Sequence, residues 1–319
     1  MPTITPDEDI GIAFDMHGCP NRCRHRQYRS GGILDTWPCF EETVACQMHT
    51  VDEFLTAWHD RYLSKWPSLR RMCLQDYAQQ GESWRELGAK WLYPVARDRQ
   101  SDMGRARRNL LATIPKIDAS YRAVLGSRAA VRYVILVDMG FAGWAARYRG
   151  GRAVLLGLTQ IVRLGWHHSA ALADLVAHEL GHHAHQIWRG QSRLGERMEG
   201  PFARLYREGF AQRFGQVLGG KGWHQASGEW RGWLRRCRQV LPSLAREFLE
   251  AANKEGDVRR FFGDWLEVRG LSMTGYFMGH GLVVSLENDG MSLKEIARLS
   301  EEAVSERAEA YLRLISGRA

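Results

Sequence analysis

Residues Leu172–His185 read LADLVAHELGHHAH, and this stretch decides the fold. Leu172, Leu175 and Val176 recur at helical spacing, so one side of the segment is built for burial. Within it stands His178-Glu179-Leu180-Gly181-His182. Four residues at 100° each return to within about 40° of the start, so both imidazoles leave one helix face. Their Cβ atoms then lie about 5–6 Å apart, which suits two ligands of one tetrahedral Zn²⁺. Glu179 is one step on, too offset to ligate with them, and is placed to accept a proton from a water at the metal. Packing alone is a poor reason for two such histidines, because their ring nitrogens would need partners in a core. The spacing predicts a zinc-binding helix from Ala170 to about Trp188, capped by Ser169.

A third protein ligand has to come from outside this segment. The metzincin form places His six residues after the second His, where Trp188 stands here. A gluzincin uses Glu from a following helix, and Glu196, Glu199 and Glu208 are available. Glu199 precedes Gly200-Pro201, a helix boundary and a poor place to hold a ligand rigidly. Glu208 lies mid-helix and is favoured, with Glu199 as the alternative. The competing reading of Glu208 is a surface carboxylate balancing Arg204 or Gln212.

Outward from the motif, Arg132–Asp138 (RYVILVD) and Ala153–Leu158 (AVLLGL) read as buried strands. Glycines at 140, 143, 150 and 151 read as loops between them. Gly200-Pro201 opens a helix that stops at Gly219-Gly220, and the chain after Trp223 reads as helical to its end. Ser292 and Glu295 have capping-box spacing. Val51 to about Leu125 is a helical lead-in, with Phe54, Leu55, Trp58 and Tyr62 at spacings of three and four. Residues 1–50 show no period and read as an irregular, Cys-containing segment ahead of a domain over 51–319, whose catalytic core spans 126–319. The class expected is α+β: many helices with a small β-sheet next to the active-site helix.

The 319 residues are 45% hydrophobic and 25% charged, which fits a globular chain and excludes a disordered one. No apolar run reaches the length of a membrane span, and Met1–Asp9 has no secretory-signal character, so a soluble cytoplasmic protein is expected. Net charge is +8, with Arg supplying 38 of the 44 basic residues. The bases are scattered, so solvated helix faces are the expectation rather than a nucleic-acid surface. Of the six Cys, Cys19, Cys23, Cys39 and Cys46 crowd the N-terminus. Gly18–His25 resembles the start of a radical-SAM cluster motif, but Arg26 occupies the third thiolate position and no iron–sulfur cluster is expected. An accessory zinc site at these four Cys is the minor alternative to packed free thiols.

Three blocks carry a family resemblance: Leu172–His185, Glu208-Gly209-Phe210-Ala211, and Thr274–Val283 (TGYFMGHGLV) followed by Gly290-Met291-Ser292-Leu293. Together they resemble a bacterial family of zinc-dependent proteases of the gluzincin group, over about Ile114 to Leu314 and not over the first 50 residues. The resemblance implies a zincin-like fold, zinc held by His178, His182 and Glu208, and Glu179 as general base. It also implies a Tyr or His donor for the oxyanion. Tyr276 is the candidate, with His280 on the same helix face and a packed core aromatic as the other reading. Asp174, one turn before His178, is a candidate to orient that imidazole. His183 and His185 are expected in supporting or surface roles. Strand Ala153–Leu158 is expected to pair with peptide at its edge, as the family's layout implies.

The function expected is a zinc-dependent peptidase acting on a peptide or protein substrate. The rival is a metal-binding regulatory protein, serving nucleic acid or a protein partner, with little hydrolysis. The sequence names neither the substrate nor the oligomeric state.

Overall fold

In a computed structural model, residues 32–317 are described apart from 46–48, 80, 82, 127–129, 191–197, 221–222, 227–231 and 255. The described chain is mostly helical around a small mixed sheet. The strands are β1 (Ile33–Asp35), β2 (Arg132–Leu136), β3 (Gly143–Tyr148) and β4 (Gly151–Gly157). They lie in the order β1-β2-β4-β3, with β1, β2 and β4 parallel and β3 antiparallel to β4. Val134 pairs with Leu155, and Ala145 with Val154. Strands β2 and β4 are buried along almost their whole length, which is why they read as unbroken apolar runs.

Ahead of β2 come α1 (Trp37–Val44), α2 (Val51–Ala57), α3 (Pro67–Gln79), α4 (Trp84–Leu87), α5 (Tyr93–Asp98) and α6 (Gln100–Leu125). After β4 come α7 (Leu158–Arg163), α8 (Ser169–Trp188), α9 (Pro201–Val217), α10 (Trp233–Gln239), α11 (Leu241–Lys254), α12 (Thr274–Asn288), α13 (Leu293–Ile296) and α14 (Glu301–Ser316). The capping box at Ser292 and Glu295 is formed. A single cluster of buried apolar residues runs from Ile33 to Ile315.

Helix α8 lies against β3 and β4 and is flanked by α6 and α9, while α9 packs on α12. Two close crossings set these positions. A Cβ on Gly181 would meet the Ala211 carbonyl oxygen at 2.6 Å, so α8 and α9 touch backbone to backbone. A Cβ on Gly209 would meet Gly279 at 2.1 Å, so α9 and α12 do the same. His183 adds a polar anchor, its Nε2–H donating to the Ala153 carbonyl at 2.9 Å and tying α8 to β4.

The lead-in clamps the loop between β2 and β3. Trp58 Nε1–H donates to the Val137 carbonyl, and the Val137 amide donates to the Tyr62 hydroxyl. Tyr77 donates to the buried Asp138 carboxylate, which also accepts from the Gly140 amide. Burial raises the Asp138 pKa, so these donors are what it depends on.

Several expectations are corrected. Residues 1–50 are not irregular throughout: Ile33–Asp35 pairs with β2, and Trp37 and Phe40 of α1 are core residues. The glycines at 143 and 151 begin strands; Gly140 lies in the loop between β2 and β3 as expected, and Arg149-Gly150 makes the turn between β3 and β4, with φ of 48° and 75° as a two-residue hairpin requires. Strand β4 is interior, between β2 and β3, and has no edge to offer a peptide; the edge beside α8 is β3. Ser169 is the first helical residue of α8, whose N-cap is His168 with no side-chain cap bond. Helix does not continue through 256–273, where a short 3₁₀ turn and an isolated Val268–Leu271 bridge stand.

Among the described residues no helix is long and apolar enough to cross a membrane. Cys39, Cys73 and Cys237 are free thiols. Cys19, Cys23 and Cys46, with Arg26 and Glu196, lie outside the described residues.

Candidate metal centre

Helical spacing puts the His178 and His182 rings side by side, with centroids 4.9 Å apart. Helix α9 crosses α8 at Gly181 and carries Glu208 to the same point. His178 Nε2 and His182 Nε2 each lie 3.3 Å from Glu208 Oε2. All three ligand atoms fall within 4.8 Å of one another. Ligands held roughly 2.0–2.1 Å from a tetrahedral zinc stand about 3.3 Å apart, and both His–Glu208 separations match that spacing. Among the described residues this trio is the one His/Cys/Asp/Glu group able to hold a metal ion.

The trio opens on a cavity of about 200 Å³ lined by Gly143, Trp144, Ala145, Glu179 and Tyr276 among others. His182 and Glu208 keep 21% and 18% side-chain exposure, which leaves a face of the centre reachable from that cavity. Glu179 is buried outside the trio, against the edge strand. A Cβ on Gly143 would lie 2.5 Å from Glu179 Oε1, and the Ala145 amide donates to the same carboxylate. Among the described residues the outer edge of β3 pairs with no strand, and it faces the carboxylate that the motif nominates as base.

The electrostatics follow from burial and mutual charge. Burial would push Glu208 up, but the imidazoles of His182 and His178 hold it well below the ordinary carboxylate range. Burial pulls His182 down, but the charge and hydrogen bond of Glu208, with the Glu179 charge, together outweigh it and leave His182 raised. Burial raises Glu179, and His178 and His182 offset only part of it. A buried carboxylate with a raised pKa, just outside a donor set, is what a general base needs.

Tyr276 lines the cavity wall, its ring centroid 5.6 Å from that of His178. Burial, and then the Glu208 charge, raise its pKa, so its hydroxyl keeps a proton to donate. His280, on the same helix, is not in the site: its Nε2–H donates to Gln216 Oε1 at 2.9 Å. Glu199 stays apart from the trio, at the head of α9, with its amide on Glu301. Asp174 is buried but does not orient His178, whose Nδ1 has no hydrogen-bond partner among the described residues. His183 serves the sheet, and His185 Nε2–H donates to the Tyr206 hydroxyl, which in turn donates to the Ile296 carbonyl.

Two features escaped the sequence reading. Gly143 and Ala145 are the backbone of the edge strand at Glu179. His224 is buried beside His178, ring centroids 5.4 Å apart, with Trp166 on its other side. No local pattern marks His224, since 42 residues separate it from His182.

Comparison with protein-family models, with characterised proteins and with solved structures gives no match.

Proposed function

We propose that the chain is a zinc-dependent peptidase of gluzincin type with a zincin-like arrangement. The observation that carries this is the placement of two imidazoles 3.3 Å from the Glu208 carboxylate while Glu179 stands outside them, against an unpaired strand edge. His178, His182 and Glu208 would hold the metal; zinc bound there supplies Lewis acidity to a carbonyl and lowers the pKa of a water. Substrate backbone pairs with β3, which presents an extended peptide beside the trio. The Glu179 carboxylate takes the proton of the attacking water and passes it to the leaving amine nitrogen. Tyr276, across the cavity, donates to the oxygen that gains negative charge. The regulatory alternative draws no comparable support from a base aimed at the cavity.

The test is cleavage of an unbiased peptide library by the full chain before chelation, after it, and after zinc is restored. The reading expects cleavage that disappears and returns. A chain that takes up zinc and cleaves nothing overturns it.

A further inference from the structure

Arg204 stands one turn before Glu208 on α9, and its guanidinium lies over the Phe262 ring at 4.5 Å. It faces a second cavity, of about 740 Å³, far larger than the one at the trio. It adjoins the site through shared walls. Gly140, Gln160, Phe262 and Trp265 wall both this cavity and a smaller one that reaches His178, Glu179 and Tyr276. A chain bound along β3 therefore has this space on one side of the reacting bond.

The walls are basic and aromatic. Lys90, Arg163, Arg204, Arg259 and Arg260 face Glu86 and Asp257. Arg163 is already paired with Asp264 and Arg259 with Asp257. Among the described residues, Lys90, Arg204 and Arg260 make no ion pair. Arg260 Nε is buried and has no hydrogen-bond partner among the described residues. Arg163 lies over Trp91 at 4.4 Å, as Arg204 does over Phe262, so both guanidinium groups rest over rings. A guanidinium fixed in this way loses little freedom on taking a carboxylate, and two parallel N–H donors match its oxygens. Trp265, 62% exposed, stands at the rim as an apolar contact for the chain that enters.

Resting on the peptidase reading, we propose that this cavity selects the substrate, and that it takes an acidic stretch of polypeptide next to the cleavage point. A volume of this class accommodates several residues. Stacked rings and arginines also suit single-stranded nucleic acid, but this cavity adjoins one that reaches the head of β3 and the Glu179 carboxylate, which suit a polypeptide backbone.

Binding tests this without requiring turnover. The full-length Glu179→Gln chain is titrated with two fluorescent peptides alike except that the flanking positions are Glu in one and Lys in the other. The Glu peptide should bind at least about tenfold more tightly, and the difference should shrink with added salt. Arg204→Gln, Arg260→Gln and the exposed Lys90→Gln should each weaken the Glu peptide about fivefold, while Arg307→Gln on α14 should not. Lys90→Gln keeps the test informative if an arginine variant misfolds. Equal affinity for the two peptides overturns the proposal. So does an oligothymidylate that displaces the Glu peptide and is itself lost in the arginine variants. Either result leaves the peptidase reading intact, since hydrolysis of neutral peptides by the unaltered chain is read separately.

Discussion

In the proposed reaction Glu179 is the proton acceptor and Tyr276 the proton donor, and neither is one of the three residues that could hold a metal ion. Glu179→Gln keeps the shape and the Ala145 contact but cannot take a proton. Peptide hydrolysis should fall at least about 10²-fold while metal content stays unchanged. Tyr276→Phe removes only a hydroxyl, and kcat should fall by roughly 10²-fold with little change in KM, because the donor acts on charge that develops during reaction. A Tyr276→Phe enzyme with unaltered kcat would return Tyr276 to the role of a packed aromatic. Glu179 and the two histidines were legible in the sequence because a helix is a local object, and spacing alone fixes which face its side chains share, whereas Tyr276 came from the family resemblance. His224 was not, because its neighbour His178 is reached only through the tertiary fold.

Among the elements, α9 does most to assemble the site, and two backbone crossings hold it. On Gly279 a Cβ would lie 2.2 Å from the Leu205 carbonyl oxygen and 3.0 Å from Gly209 Cα, with backbone rather than a flexible side chain in the way. Gly279→Ala should therefore cost about 1–3 kcal/mol, read as a fall in Tm, and should weaken zinc retention because Glu208 rides on α9. Unchanged Tm would show that α12 can move away freely. His280 joins the same two helices through Gln216. Burial, with Arg213 adding, pulls its pKa from 6.5 to about 4. The folded state thus favours the neutral ring, and the unfolded chain takes up the proton first as pH falls. Its contribution to stability is complete above about pH 6.5 and is lost progressively down to about pH 4. His280→Gln should make the drop in Tm between pH 7 and pH 5 shallower than in the unaltered chain. An unchanged slope would mean that His280 is solvated and titrates normally. Strands were less legible than helices. β2 and β4 announced themselves as apolar runs, but β3, GWAARY, mixes Gly, Ala and Arg, and β1 is three residues long, too short for any period. Strand order is a property of long-range pairing, so nothing in AVLLGL distinguished an interior strand from an edge.

For the molecule as a whole, the first element of the sheet comes from the segment that composition sets apart. The β1 backbone pairs with β2, Thr36 bonds both the Ile135 carbonyl and the Tyr62 hydroxyl, and Trp37 and Phe40 are buried. Deleting a buried Trp or Phe costs about 3–5 kcal/mol each, against a total stability of about 5–15 kcal/mol. A chain that begins at Val51 should consequently lose cooperative unfolding, which a thermal melt by circular dichroism would show. A melt like that of the full chain would mean that β1 and α1 are ornamental. The Gly, Pro and Cys content that made residues 1–50 look irregular hid this, because two core side chains over eight helical residues leave no sustained period.

We propose that α8 and α9 together hold one zinc ion through His178, His182 and Glu208. The most direct measurement is metal content by mass spectrometry on purified full-length protein, its Glu179→Gln form and its Glu208→Ala form, side by side. About one zinc equivalent is expected in the first two and its loss in Glu208→Ala, since two imidazoles alone make an incomplete site. A full equivalent retained by Glu208→Ala would contradict it.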